Sequence, residues 1–400
     1  VNLSSDATVE RETKIAGTDA RLEDRERERP SLLSEREGGA TPWLFSRSTD
    51  LWAFGAPTLA SLALVVIGFV AGVADDELPA GLWLIAVLAV DVAHVWSTTF
   101  RVYTDPAELR RRPLLYFGAP LLVYALGVAL HLSGGPLRFW RVLAYAAVFH
   151  FIKQQVGWVR LYRRRSNDRG RVNALVDEAA IYAATIYPLI YWHANLPRHF
   201  HWFLEGDFIS GVPHVLERIG LVLYVLSLSA YVLKAVLDAR AKKPIVWGKH
   251  LVVVSTVLCW YLGIVAFDSD YLFSVTNVLI HGVPYFVLVW HYGRGRYSRS
   301  SSAWAWVFRD GWALFYFGLV CVAFFEEGAW DNFVWHDHAN FFGNFGFDLG
   351  QLALALVVPL LAVPQATHYV LDGFVWRGGA HNPQLAERLG WSRSAQPVPR

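Results

Sequence analysis

Four histidines spread over most of the chain, His94, His150, His281 and His368, each lie inside a long apolar run. Ionisable side chains are costly to bury in lipid, so within such runs they turn toward the protein interior and toward one another. Imidazole nitrogens are good ligands for transition metals, and a histidine set with open positions suits non-haem Fe(II). Asp91 and His94 are three residues apart, and His368 and Asp372 are four apart, so each pair shares a helix face. A carboxylate so placed either orients a metal-bound imidazole through its second N–H or ligates the ion itself. The candidate metal residues are therefore His94, His150, His281 and His368 with Asp91 and Asp372. Lys153 and Gln154, one turn beyond His150, are the candidate catalytic pair. Asn277 precedes His281 by one turn and Pro284 follows it, and a proline there loosens the backbone.

The elements that must position these side chains are helices. Apolar stretches of about twenty residues recur from Trp52 onward, each long enough to cross roughly 30 Å of hydrocarbon. They fall near 52–73, 80–100, 114–132, 138–160, 174–193, 215–237, 246–266, 271–291, 304–325 and 352–376. The 400 residues are 54% hydrophobic and 18% charged, whereas soluble domains are nearer a quarter charged. The expected fold class is all-α, a polytopic helical bundle of about ten transmembrane helices. Residues 1–45 read as a charged, disordered tail, 46–378 as the membrane domain and 379–400 as a second short tail. Cys259 and Cys321 each sit in an apolar run, which implies no disulfide framework.

Loop charge sets the orientation. Basic loops hold Arg110 to Arg112, Arg160 to Arg171, Arg240 to Lys249 and Arg294 to Arg299. Between them come loops that are acidic or nearly uncharged: Asp75-Asp76-Glu77, the stretch around Glu205 and Asp207, Asp268 with Asp270, and Glu326 through Asp348. The positive-inside rule then places both termini and every basic loop in the cytoplasm, with the protein integral to the cytoplasmic (inner) membrane. Trp52, Trp83, Trp140, Trp158, Trp192, Trp247, Trp290, Trp304 and Trp376 fall near expected helix ends, where indoles favour the membrane interface. All four histidines lie on helices running outward to inward, within roughly 10 Å of the bilayer centre on its cytoplasmic side.

The stretch Thr367-His-Tyr-Val-Leu-Asp-Gly-Phe-Val-Trp-Arg377 resembles the closing segment of the Brp/Blh family, the membrane β-carotene 15,15′-dioxygenases. His150-Phe151 and Ile280-His281 are similar to two further boxes of that family, and Asp91-Val-Ala-His94 stands where its first histidine box does. The chain departs from the family in carrying Val-Trp-Ser after His94, Gln154 or Gln155 in place of an Asp, and Tyr285 where a second histidine is usual. The resemblance implies a histidine-ligated non-haem Fe(II) centre that activates dioxygen against an isoprenoid, carotenoid or other lipid chain. The expected partners are that lipid-like substrate, dioxygen and the bilayer, and no nucleic acid. Two other functions compete. Buried His and Asp could serve a proton- or cation-coupled transporter, or a desaturase- or hydroxylase-type di-iron enzyme, although the dense HxxxH and HxxHH boxes of the latter are lacking. His193, His199, His201, His214, His336 and His338 form a second group in the outer loops, best read as interfacial side chains.

Overall fold

The computed structural model describes residues 41–391 except 299, 301, 303, 344, 346, 380 and 381, so the charged stretch 1–40 and residues 392–400 lie outside the described residues. The chain forms α1 (Arg47–Ala71), α2 (Ala80–Arg101), α3 (Pro106–Arg111), α4 (Pro113–Arg165), α5 (Arg171–Ala194), α6 (His214–Arg240) and α7 (Trp247–Ala266). It continues with α8 (Asp270–Tyr297), α9 (Ala305–Asp310), α10 (Trp312–Trp335), α11 (Ala339–Phe342), α12 (Gln351–Val375) and α13 (Leu385–Arg388). No strand occurs among the described residues. Helices α1, α2, α4, α6, α7, α8, α10 and α12 are long and apolar enough to cross a membrane. The outward face of α6 carries Ile219, Val222, Leu226 and Leu233, all exposed. Apolar patches of that extent are rare on soluble monomers. The molecule is a multi-pass helical bundle of membrane-protein character.

Two helices need closer reading. At 1.5 Å per residue, the 53 residues of α4 would extend roughly 80 Å. Gly135 interrupts it at φ 74° and ψ 177°. Only glycine takes that conformation without strain, and Pro136 after it further disfavours the helical region. Two arms result, 113–134 and 136–165. The other is α5, 24 residues long, whose acids pair with neighbouring helices. The fully buried Asp177 accepts from Lys249 of α7 at 2.7 Å and Lys234 of α6 at 3.0 Å, and Glu178 meets Arg160 of α4 at 2.6 Å.

Helix α8 is the central element, the most buried of the membrane-length helices, whereas α6 is the least buried. Gly282 of α8 abuts α2 so closely that a Cβ there would stand 2.7 Å from Val90 Cγ1 and 3.0 Å from the Val90 carbonyl oxygen. Over Leu84–Val92, α2 widens to π-helical pitch, which re-aims the residues that follow, including His94.

The helix expected at 304–325 is displaced. Residues 305–310 form the separate α9, the chain breaks at Gly311, and α10 runs on through Glu326 and Glu327. Those two acids were expected in an outer loop. They are accommodated inside the helix because they face a polar cavity, and Glu326 accepts from the Trp96 indole. Trp140, Trp158 and Trp192, expected at the lipid interface, are buried among other aromatic rings.

A polar cluster ties one end of the bundle together. Arg101 is wholly buried, donates to the Val375 carbonyl at 2.7 Å and lies 3.5 Å from Glu108. Asp105 accepts from Arg296 at 2.7 and 2.8 Å. Arg388 of α13 reaches Tyr292 and Asp105, so residues 382–391 pack onto the bundle. Leu385, Leu389 and Trp391 are buried beside Leu44 and Phe45, and the Trp391 indole donates to the Leu44 carbonyl at 2.8 Å.

Candidate metal centre

The four histidines converge from α2, α4, α8 and α12. The His94 ring centroid lies 4.6 Å from that of His281 and 4.9 Å from that of His368. His150 lies 5.2 and 4.7 Å from the same two. None is more than 4% exposed. One nitrogen each from His94, His150 and His281 fall within 4.8 Å of one another, as do atoms of His150, His368 and Asp372. Both ring nitrogens of His94 and of His281, and Nε2 of His150 and His368, are buried with no hydrogen-bond partner. An unsatisfied buried polar atom costs roughly 1–3 kcal/mol. Orphaned lone pairs facing one small volume are what a cation would relieve, so the donor set fits a transition-metal ion held by nitrogen ligands. Stacking fixes two of the rings: Phe151 lies 3.5 Å from His281, and Tyr369 4.7 Å from His150.

The chain matches no known protein family, no curated protein and no solved structure.

Hydrogen bonding around His368 determines which of its nitrogens faces the centre. Tyr285 donates to Asp372 Oδ1 at 2.5 Å. With its single proton so used, Tyr285 accepts from Thr98, whose Oγ1 lies 3.1 Å away. The Thr98 proton is then committed, so Thr98 accepts from His368 Nδ1, 2.7 Å distant. This places the proton on Nδ1 and frees the Nε2 lone pair. Asp372 Oδ2 turns back toward the same volume, 3.9 Å from His368 Nε2 and 4.0 Å from His150 Nε2. Asp91 Oδ1 stands 3.6 Å from His94 Nδ1. Neither carboxylate hydrogen-bonds a ring, so both can serve a metal only through small movements or as ligands in their own right.

The candidate catalytic pair is placed differently. Lys153 donates to Tyr182 of α5 at 3.0 Å, and no described contact joins it to the histidines. Gln154 donates to the His281 carbonyl at 3.3 Å, which holds α4 against α8, and its Oε1 is buried without a partner. His291 stacks on Phe45 at 3.9 Å, apart from the cluster. Of the second histidine group, expected in loops, His193 lies in the last turn of α5 and His214 opens α6. His199 pairs with Asp268 at 3.1 Å, His214 with Glu217 at 2.8 Å and His193 with Tyr145 at 2.8 Å. Among the described residues, groups of three or more potential ligands form only around the inner histidines.

Thr98 escaped the reading of the sequence, and Tyr285 entered it only as a departure from the family pattern, although a signal was present. Each histidine has a polar residue four positions on: Thr98, Gln154, Tyr285 and Asp372. Two cavities border the site. One, of about 310 Å³, is lined by Asp91, Glu326, Glu327, Asp331 and His338. The other, of about 440 Å³, is an apolar groove between both arms of α4 and α12. Tyr369 lines both.

Proposed function

We propose that the protein is a membrane-embedded, histidine-ligated non-haem iron oxygenase acting on an apolar lipid or isoprenoid chain. The observation that carries this reading is the convergence of four buried histidines whose metal-facing nitrogens have no other partner. His94, His150, His281 and His368 would hold the ion, with Asp372 and Asp91 beside them. Ferrous iron would supply dioxygen activation there. The choice of iron and dioxygen rests on the resemblance to the Brp/Blh family in the boxes around His94, His150, His281 and His368.

The protein's own residues have definable tasks. Thr98, Tyr285 and Asp372 keep the His368 proton on Nδ1, and Phe151 and Tyr369 fix ring planes. The apolar walls of α4 and α12 exclude water from the face of the site that an apolar substrate would approach. The membrane reading extends the same way. The two arms of α4 counted separately, together with α5, bring the crossings from eight to ten, and the alternation of basic loops puts both termini in the cytoplasm and the protein in the inner membrane.

Metal analysis of the purified protein tests the proposal. Iron near one equivalent, lost in His281→Ala, is the expected result. Absence of any transition metal after reconstitution with ferrous ion would leave the buried His and Asp to proton or cation transport instead.

A further inference from the structure

The groove beside the site has a graded lining. Its walls are Leu126 of the first arm of α4, Val142 and Phe149 of the second, and Val370 and Phe374 of α12, all facing a space open to the bundle's outer surface. His150 and Tyr369 form part of the same lining, so the groove reaches the histidine cluster. Arg377 is the one charged residue that lines it. The Arg377 guanidinium lies 5.2 Å from the Phe374 ring, and no carboxylate among the described residues pairs with it. At Gly373, a Cβ would project into open space, so the groove floor is not filled by a neighbouring side chain.

Length adds a second constraint. From Pro359, which lines the groove, to its end at Val375, α12 advances roughly 24 Å, of which roughly 10 Å lies beyond His368, and Arg377 follows two residues past the helix end. An extended chain gains roughly 1.2 Å per bond, so the groove matches a chain of roughly twenty carbons with its middle at the histidines. Its volume of about 440 Å³ lies at the lower end of small-molecule sites.

We infer that this groove seats a single long apolar chain ending in a carboxylate, with the carboxylate on Arg377 and the middle of the chain against His150 and Tyr369. This goes deeper into the oxygenase reading by naming its substrate class, and it rests on that reading only for what then happens to the chain. The neighbouring acidic cavity does not compete for such a molecule, because no Lys or Arg lines it to pair with the head.

The test uses the purified full-length protein, metal-free and iron-loaded. It is irradiated with a long-chain fatty acid bearing a mid-chain diazirine, with the matched primary alcohol, and with a phosphatidylglycerol carrying the same chain. The acid should label α4 and α12 around Phe149 and Val370, and the alcohol roughly fivefold less, as expected for loss of one partly exposed ion pair. Arg377→Gln should bring the acid down to the level of the alcohol, whereas Arg377→Lys should keep the preference. Gly373→Leu, which fills the open floor, should remove labelling by both. Equal labelling by acid and alcohol, or labelling indifferent to Arg377→Gln, overturns the anionic head. Phospholipid labelling as strong as that of the free acid makes the groove a site for bilayer lipid and overturns the single-chain occupant. Labelling confined to other helices overturns the groove itself. The readout is crosslinking rather than turnover. A protein that takes up no iron on reconstitution yet passes these tests defeats the oxygenase reading alone, and an iron-binding protein that fails them defeats this inference alone.

Discussion

At the scale of single residues, the informative groups are those four positions after each histidine. Thr98 and Tyr285 line neither cavity, yet they decide where the His368 proton sits. Removing the Thr98 hydroxyl leaves the imidazole free to take the other tautomer. Thr98→Val is therefore expected to weaken metal binding roughly 10–100-fold, as loss of a partner behind a ligand commonly does, while Thr98→Ser retains it. Competition against a chelator of known affinity measures the change. Equal affinities for the Val and Ser variants would mean that the Thr98–Tyr285–Asp372 chain does not set the tautomer. Lys153 shows the opposite situation: it lies one turn from His150, but its amine is held by Tyr182.

Between elements, the contact of α8 with α2 fixes the separation of His281 and His94. Gly282 leaves no room for a side chain against Val90, and part of what it meets there is backbone. Gly282→Ala must push the helices apart and should cost about 1–3 kcal/mol of stability. Its diagnostic effect is on metal affinity, which should fall although every ligand remains. A destabilised variant that binds metal normally would show that another contact sets the spacing. The polar cluster at the end of α2 makes a different prediction. Burial would raise the carboxyl pKa of Asp105, but the Arg296 guanidinium and the Arg388 charge hold it below the ordinary range. Burial likewise opposes Glu108, whose pKa is lowered by Arg101, Tyr116 and Arg111. Groups with a depressed folded pKa stabilise the fold fully above their unfolded values near pH 4 and lose that contribution as pH falls through the folded value. The cluster at the end of α2 should thus open below about pH 4, and Glu108→Gln should be less stable at neutral pH but less acid-sensitive. Melting temperatures recorded across that range decide it, and parallel profiles for the two proteins would remove Glu108 from the acid response.

For the whole molecule, loop charge and the path of the chain give one test of how it sits in a bilayer. On the proposed ten crossings, the basic loop after α4 and the acidic one after α10 lie on opposite sides. A reporter fused after Arg165 should read cytoplasmic, and one after Asp337 external. Both reporters on one side would break the alternation on which the ten-crossing reading depends. The packing of Trp391 and α13 against Leu44 adds a constraint, since truncation before Leu385 would strip Arg388 from Tyr292 and expose a buried apolar cluster.

How much of this was written in the sequence follows from dimension. Depth in a membrane is a one-dimensional property, set by 1.5 Å of rise per residue and a fixed hydrocarbon thickness. Most helix bounds were therefore legible from the apolar runs, as was the common level of His94, His150, His281 and His368. The exception is instructive. The run 304–325 was displaced into α9 and α10, because Glu326 and Glu327 look like loop residues until a cavity is there to receive them. Direction around a helix axis is not local in this way. Which helices enclose one cavity, and whether a side chain turns toward it, depends on close approaches such as Gly282 on Val90 and on partners such as Tyr182 for Lys153. The sequence by itself supplied a set of histidines at one depth and two neighbouring carboxylates. Only the tertiary structure brought those histidines within 4.6–5.2 Å of their neighbours, joined Thr98, Tyr285 and Asp372 behind them, and turned Lys153 away. The reason is physical: the hydrophobic effect sorts residues by depth along the chain, while rotational placement is decided by packing and hydrogen bonds between segments remote in sequence.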